Sequence, residues 1–190
     1  VAPGRDSEGG EGMSLAATHN TARLEHVMGM PIIVDVRDDG FDQTAVADAF
    51  AWFRHVDAIF STYEPTSAIS RLGRGELALH DAPEDVRIVL GLCEEARVAT
   101  KGYFDVRANQ AKSLDPSGLV KGWSVDRAAE ILERAGATNY AVYAGGDIRV
   151  SGGALPREDW RIGIEHPGDR RSVATTIVSR SAAIATSGAY

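Results

Sequence analysis

Cysteine is nearly absent: Cys93 is the only one in 190 residues. A single thiol excludes an internal disulfide framework and any zinc site built on several cysteines. Long apolar runs are missing too. No stretch approaches the roughly 18 consecutive apolar residues of a membrane-spanning helix. The five histidines, His19, His26, His55, His80 and His166, form no close pair of the kind that ligates a metal. Each reads as a surface or structurally satisfied residue. Neither the GxxxxGK[ST] phosphate loop nor a GxGxxG dinucleotide turn occurs. Positive charge is in deficit, with 20 Lys and Arg against 27 Asp and Glu, a net charge of −7. That argues against nucleic acid or an anionic membrane as a partner held by a global field.

What remains is an ordinary globular composition, 44% hydrophobic and 25% charged, at a length that fits one domain. The opening VAPGRDSEGGEG is polar and glycine-rich. Residues 1–22 are therefore expected to be a disordered leader or cloning remnant, and 23–190 the folded domain. No export signal is visible. The expected location is the cytoplasm, with the cell envelope as the alternative if a signal has been removed.

Val27 to Val36 reads as a strand interrupted by Gly29 and Pro31. Asp42 is placed to cap a helix running to about Thr62, and Glu64-Pro65 ends it. Ser67 to Arg71 suits a short helix or turn, and Leu77 to His80 a weak strand. Pro83 opens a second helix that Gly102 stops. Phe50, Phe53, Val56, Ile59, Val89 and Cys93 recur at helical spacing and predict one core shared between helices and sheet. A third helix is predicted over about Ser124 to Ala135. Strands are predicted near 140–143, 148–151, 160–164, 173–178 and 182–185. Helices followed by hairpin-joined strands predict an α+β fold, with helices packed on a mainly antiparallel sheet.

The richest stretch runs from Leu114 to Gly152. Gly118, Lys121 and Gly122 precede the predicted third helix. A cation beside free helix amides suits an anion, and a plain turn with a solvated lysine is the other reading. Asp115 and Asp126 flank the lysine. Asp115 can orient a turn, and Asp126 can pair with Lys121 or a ligand hydroxyl. Gly145-Gly146-Asp147 signals a hairpin turn that permits close backbone approach. Ser61 and Tyr63 offer a hydroxyl and a ring that can stack on a planar ligand, or else a helix-ending core aromatic. Thr186 and Ser187 offer two hydroxyls or a strand-ending turn, with no neighbouring base to make a serine nucleophile.

The order of these segments carries more than any one of them. Met28-Gly29, Phe60-Ser61-Thr62-Tyr63-Glu64-Pro65, Gly102-Tyr103-Phe104-Asp105, Leu114-Asp115 through Lys121-Gly122, Gly145-Gly146-Asp147-Ile148, Trp160 to Ile164, and Ala185-Thr186-Ser187-Gly188 resemble successive blocks of the ApbE family. The resemblance implies a FAD:protein FMN transferase. Such an enzyme uses magnesium to move FMN from FAD onto a threonine or serine of a target flavoprotein, releasing AMP. It implies FAD contacts at Met28, Ser61, Tyr63, Asp105, Lys121, Gly145, Gly146, Thr186 and Ser187. Backbone carbonyls at Ser117 and Gly118 are the implied metal contacts.

The chain departs from the family pattern in places. PSGLVKG stands where LGGIAKG is usual, Gly73 where asparagine is common, and Ala189 where aspartate follows the TSG block. The family's later His-x-x-Asp-Pro and Asp-x-x-x-Thr segments have no counterpart. The expectation is an N-terminal portion of such an enzyme, incomplete at its C-terminus. A noncatalytic flavin-binding fragment and a FAD pyrophosphatase stay open as alternatives. So does a homo-oligomer formed through strand edges.

Overall fold

The structure is a computed structural model that describes residues 22–108, 113–154 and 158–186. Apart from Ala22, the expected leader lies outside the described residues.

Five strands form one antiparallel sheet in the order β1-β2-β3-β4-β7. They are β1 (Arg23–Val27), β2 (Met30–Val36), β3 (Tyr140–Ala144), β4 (Asp147–Ser151) and β7 (Ser181–Ile184). β5 (Trp160–His166) and β6 (Asp169–Ser179) form a separate hairpin. The helices are α1 (Gln43–Phe60), α2 (Ala68–Gly73), α3 (Glu84–Ala99) and α4 (Ser117–Arg134). The α+β expectation holds.

Period-two patterning sets the sheet's faces. Ile32, Val34 and Val36 of β2 are buried, and in register they face Ala144, Val142 and Tyr140 of β3, buried as well. Phe50 and Phe53 of α1 and Ala128, Ala129 and Leu132 of α4 close over this face. The opposite face is covered by the β5–β6 hairpin, where Trp160 and Ile162 pack with Val150, Ile148 and Ile184. The Trp160 indole donates to the Ser151 carbonyl at 2.8 Å and so ties the hairpin to β4.

Local chemistry accounts for the helix boundaries. The Asp42 carboxylate accepts from the Thr44 amide at 2.8 Å and caps α1. The Ser67 hydroxyl does the same for α2 through the Ser70 amide at 3.1 Å. At the end of α4, Gly136 takes φ of 94°, and the Ala137 amide reaches back to the Leu132 carbonyl at 3.0 Å.

Four expectations need correction. Val27 to Val36 is a hairpin rather than one interrupted strand, because Met28 and Gly29 both adopt positive φ, 57° and 72°. Such a pair makes the tight reversal favoured between twisted strands. Leu77 to His80 is not a strand: Leu79–Asp81 is a short 3-10 turn with no pairing strand. The third helix begins seven residues earlier than predicted, at Ser117 instead of Ser124. Its glycines serve packing, not chain reversal. A Cβ on Gly118 would come within 3.2 Å of the Phe104 ring, and one on Gly122 within 3.6 Å of the Asp147 carboxylate. Finally, the predicted single core is two. Phe50 and Phe53 join the helix–sheet cluster, whereas Val56, Val89 and Cys93 belong to a second cluster between helices, with Ile59 only half-buried.

Candidate functional site

A cavity of about 750 Å³ opens where five segments distant in the chain meet. Met28, Gly29 and Met30 of the β1–β2 turn form one wall. The last turn of α1 and the residues after it, Val56, Asp57 and Phe60 to Tyr63, form another. Ser117, Gly118, Val120 and Lys121 at the start of α4 make a third, and Asp147, Ala185 and Thr186 complete it. The volume is in the range of sites that enclose small organic ligands.

Lys121 lies in the second turn of α4, not before the helix. Its ammonium donates to the Gly145 carbonyl at 2.9 Å and lies 3.3 Å from the Asp147 carboxylate. Both partners belong to the β3–β4 turn, so the lysine clamps that turn to the helix. An ammonium has three N–H bonds, which leaves a donor beyond these two contacts. The first turn of α4 supplies another. Asp115 takes the Ser117 amide at 3.0 Å, and the Pro116 carbonyl takes those of Leu119 and Val120 at 2.9 and 3.0 Å. The Gly118 amide has no partner among the described residues. A free N–H at a helix start and a nearby cation, on one cavity wall, suit an anion.

Gly145 and Gly146 sit behind this wall and hold it in shape. Their φ values are 51° and 94°. A Cβ on Gly145 would fall 2.7 Å from the Met30 sulfur, and one on Gly146 2.5 Å from the Thr186 hydroxyl. Thr186 itself donates to the Gly146 carbonyl at 3.1 Å. These two glycines let three chain segments converge.

The other expected contacts divide. Met28 lines the cavity with its backbone in the left-handed region, rare for a side-chain-bearing residue. Ser61 lines it too, its hydroxyl accepting from the Glu64 amide at 3.2 Å. Tyr63 is not a core residue: it is 97% exposed at the cavity margin, which leaves its ring free to stack. Asp105 is not brought to the cavity. Its carboxylate accepts from the Arg107 amide at 2.8 Å and orders its own turn. Ser187 lies outside the described residues. Asp126 pairs with Arg149 at 2.9 Å instead of Lys121.

Ser117 and Gly118 do not make a magnesium site as placed. Helical carbonyls point along the axis toward the amides four residues on, while a helix start presents N–H groups. Among the described residues no three of His, Cys, Asp and Glu gather, and Asp147 is held by Lys121. The described donor set does not fit the cation.

Sequence reasoning missed Asp57, Met30 and Phe60 as cavity residues. Only Asp57 carried a signal. It is a carboxylate in the last turn of a helix that has no basic residue there, where the dipole disfavours negative charge.

The ApbE family model matches residues 28–111 and 106–190. A FAD:protein FMN transferase of Vibrio cholerae is 46% identical over 78 residues, 40% of this chain and 23% of that relative. One of Haemophilus influenzae is 39% identical over 79 residues, with the same 40% and 23% coverage. The matched stretch thus spans less than a quarter of these curated relatives. Among solved structures, the flavin transferase ApbE from Vibrio cholerae superimposes with a TM-score of 0.77 at 23% identity, covering 88% of this chain and 71% of that one. The ApbE protein from Thermotoga maritima gives 0.77 at 19% identity, covering 88% and 70%. At such identities the likeness is one of fold. With the family model spanning most of the chain, the protein belongs to the ApbE family.

Proposed function

We propose that this chain carries the flavin site of a FAD:protein FMN transferase. One observation supports this above the others. The free Gly118 amide and the Lys121 ammonium share a wall of a cavity large enough for a dinucleotide's ring and diphosphate. The diphosphate of FAD is the part of that ligand that needs such a wall. Tyr63 and Met28 offer apolar surfaces for a planar ring.

In the proposed reaction a threonine or serine hydroxyl of a target flavoprotein attacks the FMN phosphorus of FAD. The new P–O bond forms as the bond to the bridging oxygen breaks. AMP leaves with the electron pair, and the hydroxyl proton passes to solvent. Negative charge accumulates on the phosphoryl and bridging oxygens. In this reading Lys121 and the α4 amide hold that charge, and the contacts of the ammonium with Gly145 and Asp147, which keep it from swinging away, support the assignment. Magnesium, which the family resemblance implies, would need ligands beyond the described set.

The test has two stages. FAD binding is measured by calorimetry. The chain is then incubated with FAD, magnesium and an acceptor flavoprotein domain, and the acceptor is weighed. Gain of one FMN per acceptor supports transfer. Absence of FAD binding overturns the assignment of the cavity.

A further inference from the structure

Asp57 lines the cavity's α1 wall, between Val56 and Phe60 in sequence. Among the described residues no hydrogen bond or ion pair engages its side chain, while its backbone carbonyl accepts from the Ser61 amide at 3.0 Å. It is half-buried. It also occupies the last turn of an 18-residue helix with no basic residue in that turn. There the carboxylate faces the negative end of the helix dipole. For the folded chain alone, this is an unfavourable place for an aspartate.

We propose that Asp57 is a specificity-determining residue that accepts a hydrogen bond from an N–H on the edge of a ring of the bound dinucleotide. The inference rests on the flavin-site reading above and gives the ligand a direction. A diphosphate beside an unpaired carboxylate would be repelled, so the phosphates go to the Gly118 and Lys121 wall. The Asp57 wall then takes an uncharged ring, and only a ring edge that presents a donor satisfies a carboxylate, which is acceptor-only. FAD has two such edges, the exocyclic amine of adenine and the imide N–H of the isoalloxazine. Apolar Val56 and Phe60 alongside would raise the strength of that bond by excluding water.

The test compares wild type with Asp57→Asn and Asp57→Ala, using FAD, ADP, inosine diphosphate and FMN as probes in calorimetry, with a thermal melt of each variant. Both variants should melt at or above the wild-type temperature, because an unfavourable charge has gone. FAD affinity should fall about tenfold or more, the scale for one hydrogen bond to a charged group. A loss confined to ADP, with wild type preferring ADP over inosine diphosphate, assigns Asp57 to the adenine amine. A loss confined to FMN assigns it to the flavin imide. Either supports the proposal. Unchanged affinity for all four probes overturns it, as does an equal loss of ADP and FMN with a lowered melting temperature, which would mean that Asp57 shapes the wall. If wild type itself fails to bind FAD, the flavin-site reading fails first.

Discussion

Asn139 donates both its backbone amide and its side-chain amide to the Asp38 carboxylate, at 2.9 and 2.7 Å, across 101 residues of chain. Thr138 adds its amide and hydroxyl at 2.8 and 2.6 Å. The loop after β2 is thereby fastened to the entry of β3. Burial pushes the Asp38 carboxyl up, but the Thr138 and Asn139 bonds outweigh it and hold the group at about 2. A depressed native value means that the carboxylate's contribution is whole above the ordinary 3.8 and is lost as pH falls toward 2. Asp38→Ala should cost about 1–2 kcal/mol at pH 7, reduced by partial exposure. Urea denaturation should show the gap between wild type and variant narrowing between pH 4 and pH 2. A gap that is the same at both ends would refute the assignment.

Lys121→Ala should weaken FAD binding by about 1–3 kcal/mol, the range for a charge-assisted hydrogen bond. Calorimetry checks this. Unchanged affinity would leave Lys121 as a structural clamp on the β3–β4 turn and nothing more.

Gly146→Ala should destabilise the fold by about 1–3 kcal/mol. Two causes combine, a φ of 94° and a Cβ that would sit 2.5 Å from the Thr186 hydroxyl. Adding Thr186→Ala removes the second cause and leaves the first. The double variant should therefore recover part of the lost melting temperature. A single variant that melts like wild type would show that the turn relaxes freely.

Cys93 should be inert in the native state. It is buried in the helical cluster, and burial pushes its thiol up to about 11. The reactive thiolate is therefore scarce at pH 8. A chromogenic disulfide reagent should label it only when urea unfolds the chain. Fast labelling without denaturant would contradict its burial.

The parts legible in the sequence were those governed by neighbours in the chain. α1 and α3 follow from apolar residues at helical spacing, with Asp42 and Pro83 at their starts. The Gly145-Gly146 turn follows from its residue types. The turn at Met28-Gly29 escaped notice because methionine is not a turn residue, and its left-handed conformation appears only once the strands on either side pair. The start of α4 was misplaced because Gly118 and Gly122 resemble helix breakers. Their purpose appears only once Phe104 and Asp147 lie against them. In the site, Lys121 and Tyr63 were legible as chemical types. Their placement on one cavity needed the packing of α1 against α4, with Trp52 and Phe60 on Trp123, which no local pattern announces. Asp57 was lost among the polar positions that any amphipathic helix shows to water.

The pairing of β2 with β3 joins Ile32 to Ala144 and Val36 to Tyr140. On the ribosome, β1 and β2 emerge before β3, and until then β2 pairs on one side only. An isolated two-stranded hairpin is marginal in water; α1 can cover Ile32, Val34 and Val36 soon after they are made, but β2 has no β3 beside it until about a hundred further residues have been made. The β2 edge is therefore exposed on the nascent chain until β3 is made, the condition under which holding by a chaperone matters most. Folding of the sheet waits on the arrival of β3, and non-local closure of this kind is slow. Synonymous changes that slow translation between residues 36 and 140 should prolong that exposure and lower soluble yield, with no change to the finished protein.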